Sequence, residues 1–196
     1  MEGTLFITQI DTKRMAVIAL ADTTSYCYVK TGHNWLLCDS FRGAVYAQTA
    51  WATDLNGDGY EDIRISYGVM RGNYTCLSLL YRPQSGTLQH NPAFDLMNIA
   101  YDTTTRLVRS SGLGGIYDNI KELYFVKDDS LQFSKSVEMN IEAEARYGEL
   151  SYYAQVNGTK KLIRTVKASG NQTAQNFDTA LWIEDLRYFD RGRQLF

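Results

Sequence analysis

The stretch Asp54-Leu-Asn-Gly-Asp-Gly-Tyr-Glu-Asp62 says most about the fold of this chain. Acidic or amide side chains stand at the first, third, fifth and ninth positions of this loop. A glycine stands at the sixth position, where the backbone must turn sharply. This is the spacing of oxygen ligands in calcium-binding loops. The predicted ligands are Asp54, Asn56, Asp58, Tyr60 through its carbonyl, and Asp62.

The residues on either side of the loop favour strands, which argues against an EF-hand. The flanking segments 44–51 and 63–67 are rich in aromatic and β-branched residues. The twelfth position is Ile65, where an EF-hand has a bidentate glutamate. We therefore predict a calcium loop between two strands, with the ion bracing the fold. The alternative is a metal-free turn rich in Asp, Asn and Gly.

Length, charge and hydropathy narrow the class of protein. The 196 residues suit one all-β domain, and the formal net charge of −2 gives no indication of a nucleic-acid partner. No apolar run of about 18 residues is present, so no transmembrane segment is predicted. The 14 Tyr, 8 Phe and 3 Trp suit strands, and they also suit a recognition surface.

Strand-like segments recur along the chain with turns between them. The strongest hairpin signal is Asn157-Gly158 between two strand-like runs. We predict a single antiparallel all-β domain over residues 1–196, with roughly ten short strands in a two-sheet sandwich or a propeller-like arrangement. Residues 168–173 are predicted to be a loop. The segment 179–189 fits either a helix or a final strand.

Two of the three cysteines flank a predicted turn. If Gly32 and His33 form the tip of a hairpin, Cys27 lies opposite Cys38, and directly opposed Cα atoms are about 4.5–5.5 Å apart. A disulfide accepts that distance, so we predict a Cys27–Cys38 bridge and an oxidising compartment such as the periplasm. The alternative is a pair of reduced, packed thiols. Cys76 is predicted to be a small buried hydrophobe.

Four motifs in a fixed order resemble a known bacterial family. They are Asp54–Asp62, Tyr81-Arg-Pro-Gln-Ser-Gly86, Asn91-Pro-Ala-Phe-Asp95 and the pair Ser111-Gly112 followed by Tyr117. Together they resemble the calcium-binding periplasmic lysozyme-inhibitor-like immunity proteins, which are related to inhibitors of invertebrate-type lysozyme. The resemblance covers the middle third of the chain. It implies a periplasmic protein, so we expect that a leader before Met1 has been removed.

The resemblance also implies an activity and a contact loop. In the related inhibitors a Ser-Gly-x-x-Tyr loop enters the lysozyme cleft and meets its catalytic carboxylates. The implied partner-binding residues here are Ser110, Ser111, Gly112 and Tyr117, with four residues between Gly112 and Tyr117 instead of two. Small residues would let this backbone enter a narrow cleft. The alternative is an ordinary Gly-rich connection between strands.

The sequence contains no known catalytic motif, so we expect a protein that is not an enzyme. Its two histidines, His33 and His90, lie in predicted turns, and no nucleophile elbow, zinc motif or phosphate loop occurs. We predict an immunity protein that blocks a secreted peptidoglycan hydrolase, such as an antibacterial effector of type VI secretion. The alternative is a calcium-stabilised carbohydrate-binding or adhesion module. A hydrolase that uses Asp or Glu is a weaker third option.

Overall fold

A computed structural model describes residues 4–12, 14–21, 23–42, 47, 49–70, 73–113, 118–141 and 147–179. Most of these residues are in antiparallel strands, with one short 3₁₀ helix and one α-helix, which confirms the all-β class. Two of the sheets, both in the first half of the chain, pack on a shared core in the manner of a sandwich. Within the described residues, no helix is long and apolar enough to cross a membrane.

Contacts divide the chain into two compact units. Unit 1 is Met1–Tyr101 with Asp128–Ser130, and unit 2 is Asp102–Lys127 with Leu131–Phe196. Unit 1 contains two four-stranded sheets in which consecutive strands are neighbours, β1-β2-β3-β4 and β5-β6-β7-β8. Their bounds are β1 Thr4–Gln9, β2 Met15–Ala21, β3 Thr24–Thr31, β4 Asn34–Arg42, β5 Thr49–Thr53, β6 Asp62–Met70, β7 Asn73–Arg82 and β8 Thr87–His90.

One hydrophobic core joins the two sheets of unit 1. Side chains alternate along β3, so that Cys27 and Val29 are buried while their neighbours point the other way. From β6, Ile63 and Ile65 enter the same core with no exposed surface. Each such side chain contributes about 1.5–3 kcal/mol through burial. The inward faces of both sheets therefore hold unit 1 together.

A six-stranded sheet follows, in the order β14-β13-β12-β11-β10-β9. Its strands are β9 Ala100–Asp102, β10 Leu107–Leu113, β11 Asp118–Lys127, β12 Ser130–Ile141, β13 Gly148–Val156 and β14 Thr159–Ala168, and the 3₁₀ helix η1 is Pro92–Phe94. The predicted hairpin between β13 and β14 is confirmed. Asn157 and Gly158 both have positive φ, at 52° and 78°, as this two-residue turn requires.

The helix α1, Gly170–Thr179, replaces most of the loop that the sequence predicted over residues 168–173. Phe177 is buried in one core with Leu123, Val137 and Leu150 of the six-stranded sheet. Lys121 donates a 2.6 Å hydrogen bond to the carbonyl of Phe177. Packing on the sheet stabilises a helix that its polar sequence alone does not favour. Of the segment 179–189, everything after Thr179 lies outside the described residues.

Candidate calcium loop and the polar anchors around it

The loop 54–62 connects β5 to β6, as the strand-like flanks predicted. Two of its glycines have backbone conformations that other residues rarely adopt: φ is 78° at Gly57 and 85° at Gly59. The ring of Tyr101 lies directly over Gly57, where it occupies the space that a Cβ would take. Nothing lies within 4 Å of the corresponding position at Gly59. The loop therefore needs both glycines for their backbone, and Gly57 also for close packing.

Side-chain oxygens of the loop accept hydrogen bonds from its own backbone. Asp54 accepts from Gly57 N at 2.6 Å and from Gly59 N at 3.0 Å. Asn56 Oδ1 accepts from Asp58 N at 3.1 Å, and Asp58 Oδ1 accepts from Tyr60 N at 2.9 Å. These bonds turn the side chains toward the centre of the loop. A carboxylate or amide oxygen that accepts one such bond still has a lone pair for another partner.

Asp62 anchors the loop to the sheet. Its carboxylate has no exposed surface and accepts from Tyr81 N at 2.8 Å and from Leu55 N at 2.9 Å. Burial raises the pKa of this carboxyl to about 7, against the opposing effect of the two hydrogen bonds. The negative charges of Asp58 and Asp54 raise the pKa further. A cation among these three carboxylates would offset their repulsion.

The donor set fits calcium in its chemistry, because the predicted ligands offer only hard oxygen atoms. Among the residues that the structure describes, no three acidic, histidine or cysteine side chains converge closely enough to hold a metal ion as they stand. Calcium binding by Asp54, Asn56, Asp58, Tyr60 and Asp62 therefore stays a prediction.

The motif Tyr81–Gly86 belongs to the scaffold. The Tyr81 hydroxyl donates to Asp11 at 2.8 Å and accepts from Arg14 Nη1 at 2.9 Å, so it connects β7 to the chain after β1. Burial raises the pKa of Tyr81, and the nearby Asp11 raises it further. The guanidinium of Arg14 lies directly over Gly86 (φ 67°) and leaves no room for a side chain there.

The motif Asn91–Asp95 belongs to the scaffold as well. Asn91 caps η1 by accepting from Ala93 N at 3.1 Å, and Phe94 is fully buried. Asp95 accepts from Ser78 N and contacts His90 Nε2, both at 2.7 Å. The segment 91–99 is therefore tied to β7 and β8 by the hydrogen bonds of Asp95.

Arg64 holds the same segment from β6, a role that sequence reasoning did not predict. The side chain is 1% exposed and donates to the carbonyl of Leu96 at 2.9 Å. The ring of Trp51 lies 5.6 Å from the guanidinium carbon. Burial lowers the pKa of Arg64. A charged residue between Ile63 and Ile65 has the pattern of an exposed position on a strand. Arg64 is buried only because the segment 91–99 covers it.

Ser110, Ser111 and Gly112 lie in a strand and not in the predicted contact loop. All three belong to β10, where they pair with Glu122, Lys121 and Ile120 of β11. Ser110 is 5% exposed, so it is placed within the sheet. The predicted loop therefore begins after Leu113 and not at Ser110, while contact of Ser110, Ser111 and Gly112 with a partner stays a prediction. Residues 114–117, including Tyr117, lie outside the described part of the chain.

The predicted pairing of cysteines also needs correction. The turn at Gly32 and His33 is confirmed, but a β-bulge shifts the register so that Cys27 opposes Asp39. Cys27, Cys38 and Cys76 are all free thiols, and the predicted Cys27–Cys38 bridge is not formed in the structure. The expectation failed because it assumed a regular hairpin, whereas one extra residue in β4 moves Cys38 out of direct opposition. Cys76 is buried, as predicted.

Comparison with known proteins identifies a shared fold. No protein-family model matches the chain, and no curated protein matches it in sequence. A solved structure described as that of "a Xanthomonas Type IV Secretion System related protein" has a TM-score of 0.58 with this chain. The two are 13% identical, and the match covers 84% of this chain and 100% of the other. At this identity the likeness shows the fold alone.

Proposed function

We propose that this chain is an immunity protein that inhibits a secreted peptidoglycan hydrolase in the periplasm, with a calcium ion bracing the loop 54–62. The observation that carries the proposal is this loop: its predicted ligands are all oxygen atoms, and buried Asp62 ties it to the sheet. The order of the four motifs supports the same assignment. The structural neighbour, described as secretion-system related, is compatible with a target that a secretion system delivers.

Calcium would act on the scaffold and not on a reaction. Asp54, Asn56, Asp58, Asp62 and the Tyr60 carbonyl would hold the ion, which would neutralise the charge that these carboxylates gather. The loop also supports Tyr101 through Gly57. A rigid scaffold reduces the ordering entropy that an inhibitor loses when it binds.

Inhibition would be steric, through the tip of the β10–β11 hairpin. The predicted contact would comprise Tyr117 as its anchor together with Ser110, Ser111 and Gly112, which lie in the last part of β10. Tyrosine offers a large contact area with little conformational entropy to lose. An immunity protein must leave almost no active toxin, which requires a Kd at or below about 1 nM, or roughly −12 kcal/mol.

The test is capture and inhibition with a panel of purified secreted peptidoglycan hydrolases. We expect the wild-type protein to bind one hydrolase and abolish its activity, and Tyr117→Ala to weaken that inhibition by at least about tenfold. The matched control is Tyr147→Ala, because Tyr147 is also in a connection between strands and is 66% exposed. Retention on purified peptidoglycan without capture of any hydrolase would instead favour the carbohydrate-binding alternative.

The calcium part has its own test. We expect calcium to raise the Tm of the wild type and of Glu61→Ala, which removes an exposed acid of the same loop that is not a predicted ligand. The Tm of Asp58→Ala should not respond to calcium, because a predicted ligand is lost. Equal calcium responses of Asp58→Ala and Glu61→Ala would contradict the proposed ligand set. Calorimetric titration of the chelator-treated proteins measures the binding directly.

A further inference from the structure

The outer face of the β1–β4 sheet exposes large apolar side chains. The "open face" is defined by Leu5, Ile7, Tyr26, Tyr28, Trp35 and Leu37. Leu5 and Ile7 on β1 are 64% and 55% exposed, and Trp35 and Leu37 on β4 are 44% and 49% exposed. A contiguous apolar surface on a protein indicates an interaction site more often than scattered single residues do.

The strand register aligns these positions in rows across the sheet. Ile7 pairs with Val17, Val17 with Tyr28, and Tyr28 with Leu37. A second row begins at Leu5 and passes through Ala19 to Tyr26. Trp35 lies beside the first row, opposite Lys30. The positions of the open face on β1, β3 and β4 therefore lie on the same side of one sheet.

On each of the other two sheets, one face is covered by another segment of the chain. In unit 1, Ser78 donates to the carbonyl of Phe94 at 2.7 Å, which holds the segment 91–99 over the outer side of β6 and β7. In unit 2, α1 covers one face of the six-stranded sheet through Phe177. Within the described ranges, the open face has no comparable element, because four of its side chains keep 44–64% of their surface exposed.

The charges on this surface indicate what kind of partner would fit. Lys30 lies on the outward side of β3, with Nζ 6.0 Å from the ring of Trp35, and Arg42 is exposed at the end of β4. Asp39 is the one acidic residue of β1, β3 and β4, and it lies on the inward side opposite Cys27. The open face is therefore cationic on a chain whose formal net charge is −2. An apolar surface with acidic groups complements it.

A protein partner fits this chemistry better than a glycan. Sugar sites combine aromatic rings with polar groups that bind hydroxyls. Here Tyr28 pairs directly with Leu37, and the same face carries the exposed aliphatic side chains of Leu5 and Ile7 on β1. Aromatic and aliphatic residues with a few cations at the rim are typical of the centre of a protein interface. Enzymes that cleave glycosidic bonds carry paired carboxylates in their clefts, which supplies an acidic partner surface.

We infer that the open face is a binding surface for the inhibited hydrolase, which it contacts through an apolar and acidic region of the enzyme. This inference rests on the proposed function. Trp35 and Leu37 bury against the apolar part of the partner, while Lys30 and Arg42 face its carboxylates.

The experiment measures the Kd of the hydrolase that the wild type captures from the purified panel. The test variant is Trp35→Ser with Leu37→Ser, and we expect its Kd to rise at least about tenfold, as for residues at the centre of an interface. The matched control is Leu162→Ser with Ile163→Ser on β14, where the two side chains are 56% and 51% exposed. This control should bind as the wild type does.

A second pair of variants tests the charge and does not alter the apolar residues. Lys30→Glu should raise the Kd severalfold, with a larger effect at low salt, whereas Lys161→Glu on the exposed strand β14 should not. If the double variant fails to fold, the Kd of Lys30→Glu still shows whether the open face contacts the hydrolase.

The outcomes separate this inference from the proposed function. Binding of the hydrolase by the wild type, with an unchanged Kd for both open-face variants, would overturn the inference and leave the proposed function standing. Capture of no hydrolase by the wild type would overturn both.

Discussion

The two sheets of unit 1 share a core, but their outer faces differ in kind. On the β5–β8 sheet the outward positions include Arg64, Ser66 and Ser78, all of which are buried. On the β1–β4 sheet the outward positions of the edge strands include Leu5, Ile7 and Leu37, all of which are exposed. The polar face is thus covered, and the apolar face is open. This is the reverse of what a simple inside–outside rule would assign.

This difference shows that polar side chains on the outer face of a strand can hold another segment of the chain over that face through hydrogen bonds. Backbone carbonyls of the segment 91–99 need donors, and Arg64 and Ser78 supply them at Leu96 and Phe94. An apolar surface has no such demand for directional partners within the chain, so it remains available for another molecule. A buried polar side chain therefore indicates internal structure, and an exposed apolar patch indicates a partner.

The largest expected effect is on stability. It is tested by comparing Phe94, which covers the outer face of the β5–β8 sheet (the "covered face"), with Leu37 of the open face. Phe94→Ala should lower the free energy of unfolding by about 3–5 kcal/mol, because Phe94 is fully buried and its removal leaves a cavity. Leu37→Ala should change it by less than about 0.5 kcal/mol, because half of that side chain is in solvent. Urea denaturation measures both. Similar losses would mean that the open face has a structural cover after all.

The next effect concerns how the covered face holds the loop 54–62. Asp62 has a pKa of about 7 in the folded protein, above its ordinary value of 3.8, so folding favours the protonated carboxyl. In calcium-free protein this contribution to stability is complete below about pH 4 and is lost as the pH rises through 7. The loss is at most about 4 kcal/mol for a pKa shift of about three units.

Asp62→Asn should remove this pH dependence, because an amide does not titrate in that range. In this variant the side-chain NH₂ faces one of the two backbone N–H donors, which loses its acceptor. We therefore expect the variant to be less stable at acidic pH than the wild type. Unfolding measured in chelator from pH 4 to pH 8 gives both slopes. A slope that is the same in the two proteins would show that other groups account for the pH dependence. Asp128→Asn, at an exposed turn, is the control.

Local sequence patterns were sufficient to predict the positions of most strands and of two turns. The loop between β5 and β6 and the Asn157-Gly158 hairpin follow from residues whose backbone preferences act within a few positions. The all-β class follows from the same patterns. The calcium ligands stay predictions, because a donor set in the sequence does not say how its oxygens converge.

The failures have a common physical cause, which is tertiary contact. The bulge that moves Cys38 away from Cys27 has no local signature. The helix α1 is held by the burial of Phe177 against residues that are distant in sequence, such as Leu123. Ser110 reads as a loop residue because serine and glycine favour turns, yet pairing with β11 keeps it in a strand. Ser169, whose carbonyl accepts from Thr173 N at 2.9 Å, was a usable signal for the start of α1.

A smaller effect separates the two glycines of the loop. Gly57→Ala and Gly59→Ala both place an alanine at a positive φ, which costs about 1–2 kcal/mol. Only at Gly57 would the new methyl overlap the ring of Tyr101, which should add about 1–3 kcal/mol. Thermal unfolding of both variants measures the difference. Adding Tyr101→Ala to each should then remove the difference between them, and a persistent gap would argue against the role of Tyr101.

The smallest effect tests whether one hydrogen bond distinguishes the covered face from the open one. Ser78→Ala removes the 2.7 Å bond to the carbonyl of Phe94 and leaves that buried acceptor without this donor, which should cost about 1–2 kcal/mol. Ser40→Ala, on the outward side of β4 where the residue is exposed, should change the free energy of unfolding by less than about 0.5 kcal/mol. Hydrogen exchange of the amides of 94–96 should accelerate only in Ser78→Ala, since a loosened cover opens locally before the sheet unfolds. Equal exchange in the two variants would mean that the cover is held by Arg64 and Asp95, so that the contrast between the faces rests on charged groups alone.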